Sequence, residues 1–255
     1  ACRNEVMRYT DVRNDLTMKM GYWVDLENPY ITYKNSYIET LWFLLQKLYK
    51  KGYLYKGYTI QPYSPAAGTG LSSHELNQPG TYQDVKDTTI VAQFRVDKGQ
   101  VHPLIGTLVE TPEEDVAFIA WTTTPWTLPS NTALVVGKNI DYVKVRTFNQ
   151  YTGEPVSVVL AQNLINKHFK AEGQNASFQD YKLGDKIIPW EIVANFKGEE
   201  LVGLRYHQLM PYITSDELFE KAFRVIPGDF VTTEDGTGIV HASPTYGADD
   251  FRVAK

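Results

Sequence analysis

Two short segments hold most of the residues whose types and spacing suit chemistry. The first reads Trp121-Thr122-Thr123-Thr124-Pro125-Trp126-Thr127-Leu128-Pro129-Ser130-Asn131 and follows the apolar run Val116 to Ala120. Three consecutive threonines at a strand end put several hydroxyls and N–H groups in one place, each able to donate or accept. Pro125 and Pro129 withdraw two backbone donors and stiffen the loop. Trp121 and Trp126 can stack on a flat ligand such as a nucleobase. An ordinary Thr-rich strand with tryptophan filling the core fits as well, since threonine favours strands anyway. Both readings stand on residue types alone.

The second segment runs Asp235-Gly236-Thr237-Gly238-Ile239-Val240-His241-Ala242-Ser243-Pro244-Thr245-Tyr246-Gly247-Ala248-Asp249-Asp250-Phe251. The glycines around Thr237 permit close approach of backbone to a ligand, or unusual dihedrals. Gly-Thr-Gly matches neither a dinucleotide-binding nor a Walker phosphate loop. His241 ends a short apolar run, where a histidine is more often structural than functional. Asp249 and Asp250 could simply open a helix, where carboxylates are favoured.

Several elements must position these segments. Ser36 to Glu39 has capping-box spacing. Ile38, Leu41, Trp42, Leu45, Leu48 and Tyr49 then follow the i, i+3, i+4, i+7 period of one helical face, with Gly52 as the stop. A Pro-, Ser- and Gly-rich loop from Gln61 to Pro79 marks a boundary, predicting an N-terminal helical segment over 1–60 and a second domain over 61–255. Beyond it the period becomes two: Ile90, Ala92, Phe94 and Val96 alternate as in a half-buried strand. Further short strands are predicted at Val116 to Trp121, Ala133 to Val136, Tyr142 to Val145, Val156 to Leu160, Ile192 to Phe196, Phe223 to Ile226 and Ile239 to His241. A helix is predicted over Ala161 to Phe169. The expected fold is mixed α and β, a closed or nearly closed β-barrel with peripheral helices.

Composition narrows the function. The chain has 255 residues, 43% of them hydrophobic, enough for a substantial core. No apolar run approaches the roughly 20 residues of a membrane span, and no charged-then-apolar leader opens the chain, so a soluble protein is expected. The single cysteine, Cys2, excludes an internal disulfide and a CxxC zinc site. A formal charge of −5 argues against wrapping a nucleic acid along its length, but not against a pocket for the end of one strand. The chain opens on Ala1-Cys2-Arg3 and stops at Arg252-Val253-Ala254-Lys255 inside what reads as a continuing element, so a piece of a longer protein is expected.

Taken together, the two segments resemble the editing insertion of class I tRNA synthetases for branched aliphatic amino acids. The wording Thr124-Pro125-Trp126-Thr127-Leu128-Pro129 is similar to the isoleucyl branch, where valyl and leucyl relatives carry Arg-Pro-Glu or Arg-Pro-Asp. Met20-Gly21-Tyr22-Trp23-Val24-Asp25, Tyr30-Ile31-Thr32 and Tyr37-Ile38-Glu39 look like the start of that insertion. Pro62-Tyr63-Ser64-Pro65 through Leu71-Ser72-Ser73-His74-Glu75 looks like the entry into its barrel. Three features depart from the pattern: Ser64-Pro65-Ala66-Ala67 stands where many members have a zinc-binding Cys pair, Ser243 replaces alanine, and Tyr246 replaces His or Phe. No HIGH-like or KMSKS-like segment is present, so ATP-dependent charging of tRNA is not expected of this chain.

The resemblance implies an aminoacyl-tRNA deacylase that removes valine from tRNA(Ile), or from valyl-adenylate. Isoleucine and valine differ by one methylene, worth only ~1–3 kcal/mol; isoleucyl synthetase with its second hydrolytic sieve is the standard example of that limit. On this reading Thr122, Thr123, Thr124, Trp126, Thr127, Asn131, Gly236, Thr237, Gly238 and Tyr246 form the pocket for the terminal adenosine and amino acid. Asp250 pairs with the α-ammonium, and His241 limits side-chain size. Asp250, His241 and Thr124 are the candidate catalytic residues. The vicinal ribose hydroxyl assists the attacking water. The expected partners are the 3′ end of tRNA(Ile) carrying valine and the remainder of a synthetase. No metal, cofactor or membrane is expected; the chain should be monomeric and cytoplasmic. Two alternatives remain, a catalytically silent tRNA-end binding module and an editing domain of the valyl or leucyl branch.

Overall fold

A computed structural model describes residues 2–255. The chain divides into two compact units, Ala1–Thr59 and Ile60–Lys255. The first is helical, with helices at Cys2–Met7, Thr10–Lys19 and Asn35–Lys50. The last carries the apolar face that the spacing predicts. It ends in a Schellman motif, with Gly52 N–H on Tyr49 O at 2.9 Å and Tyr53 N–H on Leu48 O at 3.0 Å. The predicted Ser36–Glu39 capping box does not form. A cap residue needs non-helical dihedrals, and here Lys34 is the extended one, so Ser36 lies inside the helix and its carbonyl accepts from Thr40 Oγ1 at 2.9 Å. The capping box sits instead in the second unit, between Ser72 and Glu75.

The second unit holds ten strands. β1 (Tyr63–Ser64) and β2 (Thr69–Gly70) form a short hairpin. β3 (Ile90–Arg95), β4 (Val116–Thr122), β6 (Asp141–Phe148), β7 (Pro155–Ala161) and β8 (Glu191–Lys197) form a sheet of order β3-β4-β7-β6-β8. β5 (Ala133–Val136), β9 (Arg224–Pro227) and β10 (Ile239–Ala242) form a second, of order β10-β5-β9. Two pairings, β4 with β7 and β5 with β9, are parallel. Each predicted strand is present, and Ala92, Phe94 and Val96 are buried as their alternation requires. The predicted helix over Ala161 to Phe169 appears as a 3-10 turn, Gln162–Leu164, running into the short helix Ile165–His168.

The predicted barrel is not what forms. Among the described residues the ladders make separate sheets, with β3 and β8 at the edges of one and β10 and β9 at the edges of the other. Only the isolated bridges Val96–Tyr206 and Arg205–Arg224 run between β3 and β9. Period-two alternation says which face of a strand is buried but not which edges pair. One core joins the two sheets: Phe94, Phe118 and Tyr142 from the first meet Leu134, Val225 and Ile239 from the second. A change such as Phe118→Ala here should cost ~3–5 kcal/mol. No helix among the described residues is long and apolar enough to cross a membrane.

Candidate functional site

The two chemistry-bearing segments come together around one cavity of about 490 Å³. The first enters from the end of β4. Thr122 is its last residue, and Thr124 lies before Pro125, where proline disfavours helical backbone. Pro125 then opens a 3-10 turn, Pro125–Ser130, at a position whose N–H needs no partner. The result is a tight knot of hydroxyls. Thr124 N–H donates to Thr122 Oγ1 at 3.0 Å, and the Thr122 and Thr124 hydroxyls lie 3.3 Å apart. Thr124 and Thr127 hydroxyls are likewise 3.3 Å apart, and Thr127 Oγ1 donates to Thr124 O at 2.8 Å.

The second segment supplies the facing wall through Gly236, Thr237, β10 and the helix Ala248–Val253. Gly238 has a φ of +72°, and a Cβ there would sit 2.3 Å from the Ala161 side chain, so only glycine fits. His241 is buried in β10, with Nε2 3.1 Å from Thr127 Oγ1. Thr127 has one hydroxyl proton, and Thr124 O takes it, so His241 Nε2 carries the proton of this contact. His241 Nδ1 is then left buried without a partner among the described residues. Burial holds the His241 pKa below its ordinary 6.5, against an opposing pull from the Asp250 charge. The ring is therefore neutral near pH 7.

The two neighbouring aspartates separate cleanly. Asp249 pairs with Arg252 at 3.3 Å, outside the cavity. Asp250 lines the cavity; its Oδ2 accepts from Ser243 N–H at 2.9 Å. Its carboxylate makes no other hydrogen bond and no ion pair among the described residues, leaving Oδ1 open.

Thr122, Thr123, Thr124, Trp126, Thr127, Gly236, Thr237, Gly238, Tyr246, His241 and Asp250 all line the cavity. Asn131 does not. It is buried, with its amide donating to Ala133 O at 2.9 Å and its Oδ1 accepting from Tyr206 OH at 2.6 Å. Thr237 is almost fully buried and turns its hydroxyl to Ile239 O. Phe230 and Thr232 join the lining without having been singled out, and nothing in their spacing signals it.

A model of the class I tRNA synthetases (I, L, M and V) matches residues 1–234. The chain belongs to this family. Over its whole length it is 59% identical to isoleucine–tRNA ligase of Bacteroides thetaiotaomicron, of which it covers 22%. Against the same ligase of Clostridium tetani it is 43% identical, again over 100% of the chain and 20% of that protein. The chain thus spans about a fifth of the length of these curated relatives. Among solved structures, the editing domain of P. knowlesi cytosolic leucyl-tRNA synthetase overlaps with a TM-score of 0.46 at 15% identity, covering 64% of this chain and 60% of that one. That likeness is too loose to carry an argument.

Proposed function

We propose that this cavity is a hydrolytic proofreading site that accepts the 3′ end of tRNA(Ile) carrying valine and cleaves the ester. The observation that carries the reading is Asp250, a carboxylate with an open oxygen and no cation of its own, facing the same cavity as the threonine hydroxyls and His241. An α-ammonium is the cation that such a group lacks. The terminal adenosine lies against Thr122 to Thr127, with Trp126 and Tyr246, both exposed at the lining, as stacking surfaces. The amino-acid side chain then faces His241.

Hydrolysis asks little more of the protein. An aminoacyl ester is already activated, so positioning and polarisation are sufficient. A water oxygen bonds to the carbonyl carbon, and the tetrahedral intermediate collapses by breaking the bond to the ribose oxygen. That oxygen takes up a proton from the water, and valine and uncharged tRNA leave. The vicinal ribose hydroxyl orients the water. A second reading of His241, as general base, draws on its unpartnered Nδ1 lone pair.

The test is the initial rate of deacylation of valyl-tRNA(Ile) and isoleucyl-tRNA(Ile) by this chain. Valyl ester should be hydrolysed at least tenfold faster, about what one methylene is worth. Equal rates would remove the size sieve. Binding of the tRNA end without hydrolysis would point to a silent module, and preferential cleavage of a threonyl ester to the valyl branch.

A further inference from the structure

The wall formed by Gly236, Thr237 and Gly238 is held from behind through its three carbonyls. Gly236 O lies 2.8 Å from His168 Nε2, Thr237 O accepts from Ala161 N–H at 2.8 Å, and Gly238 O accepts from Tyr142 OH at 2.6 Å. Just upstream, Lys167 donates to Glu234 O and pairs with Asp235 at 2.6 Å. None of Ala161, Tyr142, Lys167 and His168 lines the cavity. The short helix Ile165–His168 is thus fastened to the outer side of the loop whose inner side faces the ligand.

We propose that His168 is a positioning residue that sets the width of the cavity and hence the valine-over-isoleucine selectivity; this rests on the proofreading reading above. A carbonyl can only accept, so His168 Nε2 carries a proton whichever form the ring takes. Its bond fixes the Gly236–Thr237 peptide, and peptide planarity fixes the Thr237 N–H opposite it. On the other side, the Trp121 ring packs against Gly236, 3.1 Å from where a Cβ would stand. Gly236 is therefore clamped between Trp121 and His168. Three residues after Gly238 the same chain delivers His241, so a shift of the loop moves the group that limits side-chain size. Tyr142 is fully buried and also accepts from Gly137 N–H, so changing it would disturb the core. His168 is only half-buried and is the better probe.

The experiment compares His168→Ala, His168→Gln and the parent by kcat and KM on valyl-tRNA(Ile) and isoleucyl-tRNA(Ile), with melting temperature and hydrogen exchange over residues 234–242. His168→Ala should lower the valyl-to-isoleucyl selectivity about tenfold, roughly the worth of one positioned hydrogen bond, and speed exchange across the loop. His168→Gln, which keeps an N–H donor, should restore both to within about threefold. Parent-like selectivity and exchange in His168→Ala would overturn the proposal. So would a loss that follows the melting temperature and is not rescued by Gln. If the parent itself fails to cleave valyl-tRNA(Ile), the proofreading reading falls, and with it the selectivity role. Exchange over 234–242 would then still decide whether His168 holds the loop.

Discussion

The two walls of the cavity satisfy their polar groups in opposite ways. In the threonine wall, the Thr124 hydroxyl lies 3.3 Å from those of both Thr122 and Thr127, and Thr127 also meets the backbone. In the facing wall, Asp250 keeps one oxygen open and His241 keeps Nδ1 unpartnered. Groups that already have partners can lose one member and re-form bonds among the rest. Groups held open, at a cost in burial, have no substitute. The threonine wall should therefore be tolerant and collective, and the Asp250–His241 wall specific and unforgiving.

The largest expected effect of a single change on the valyl rate is at Asp250. Asp250→Ala should slow hydrolysis of valyl-tRNA(Ile) by roughly 10- to 150-fold, from a charge-assisted bond of ~1.5–3 kcal/mol. Asp250→Asn retains an oxygen for Ser243 N–H and should show a similar rate loss with a smaller change in melting temperature. Asp249→Ala removes only an exposed contact to Arg252 and should change the rate less than about twofold. Equal losses at the two aspartates would erase the distinction between the walls.

His241→Ala comes next and acts on selectivity. A steric role means that removing the ring admits one more methylene, so the variant keeps valyl hydrolysis and gains isoleucyl hydrolysis. Selectivity should fall by roughly 10- to 200-fold, the range one methylene spans. A general base would instead lower both rates together, by ~10²–10⁴-fold. A purely structural histidine would lower the melting temperature and carry both rates down with it. Both esters and a melting curve separate the three.

The threonines should give smaller effects. Single changes of Thr122, Thr123 or Thr124 to Ala should each slow the reaction about two- to tenfold, the scale of one neutral hydrogen bond. The triple change should abolish activity, because Thr127 is then left with no neighbouring hydroxyl with which to re-form the network. A single change as damaging as the triple would break the comparison, and Thr124, which contacts both Thr122 and Thr127, is where it should appear.

Much of this was legible in the sequence, for identifiable reasons. Strands β3 to β10 announce themselves because one buried face per strand forces alternation or an apolar run. The Thr122–Thr127 and Gly236–Asp250 segments stand out by composition. Ser36 misled because cap spacing does not say which residue leaves the helical dihedrals. The barrel misled because edge pairing has no period. Asn131 is invisible as a buried amide until Tyr206, 75 residues away, is seen to hold it. His168 is hidden for the same reason: its partner is a backbone carbonyl 68 residues on.

The smallest effect is in the pH dependence of stability, and it bears on why the second wall is costly. Burial depresses the folded-state pKa of His241 below 6.5, while the unfolded chain keeps the ordinary value. Above 6.5 both states hold the ring neutral, and the contribution of His241 to stability is fully present. As pH falls through 6.5 the unfolded chain takes up a proton that the folded one refuses, so stability is lost until the folded pKa is passed. The melting temperature of the parent should therefore decline as pH falls through 6.5. His241→Gln, which cannot titrate, should flatten that part of the curve. Asp250 faces His241 and offsets part of the burial effect, so Asp250→Asn should make the decline steeper. If it becomes shallower instead, the two groups are not coupled across the cavity. The Asp250–His241 wall would then be two independent residues rather than one arrangement.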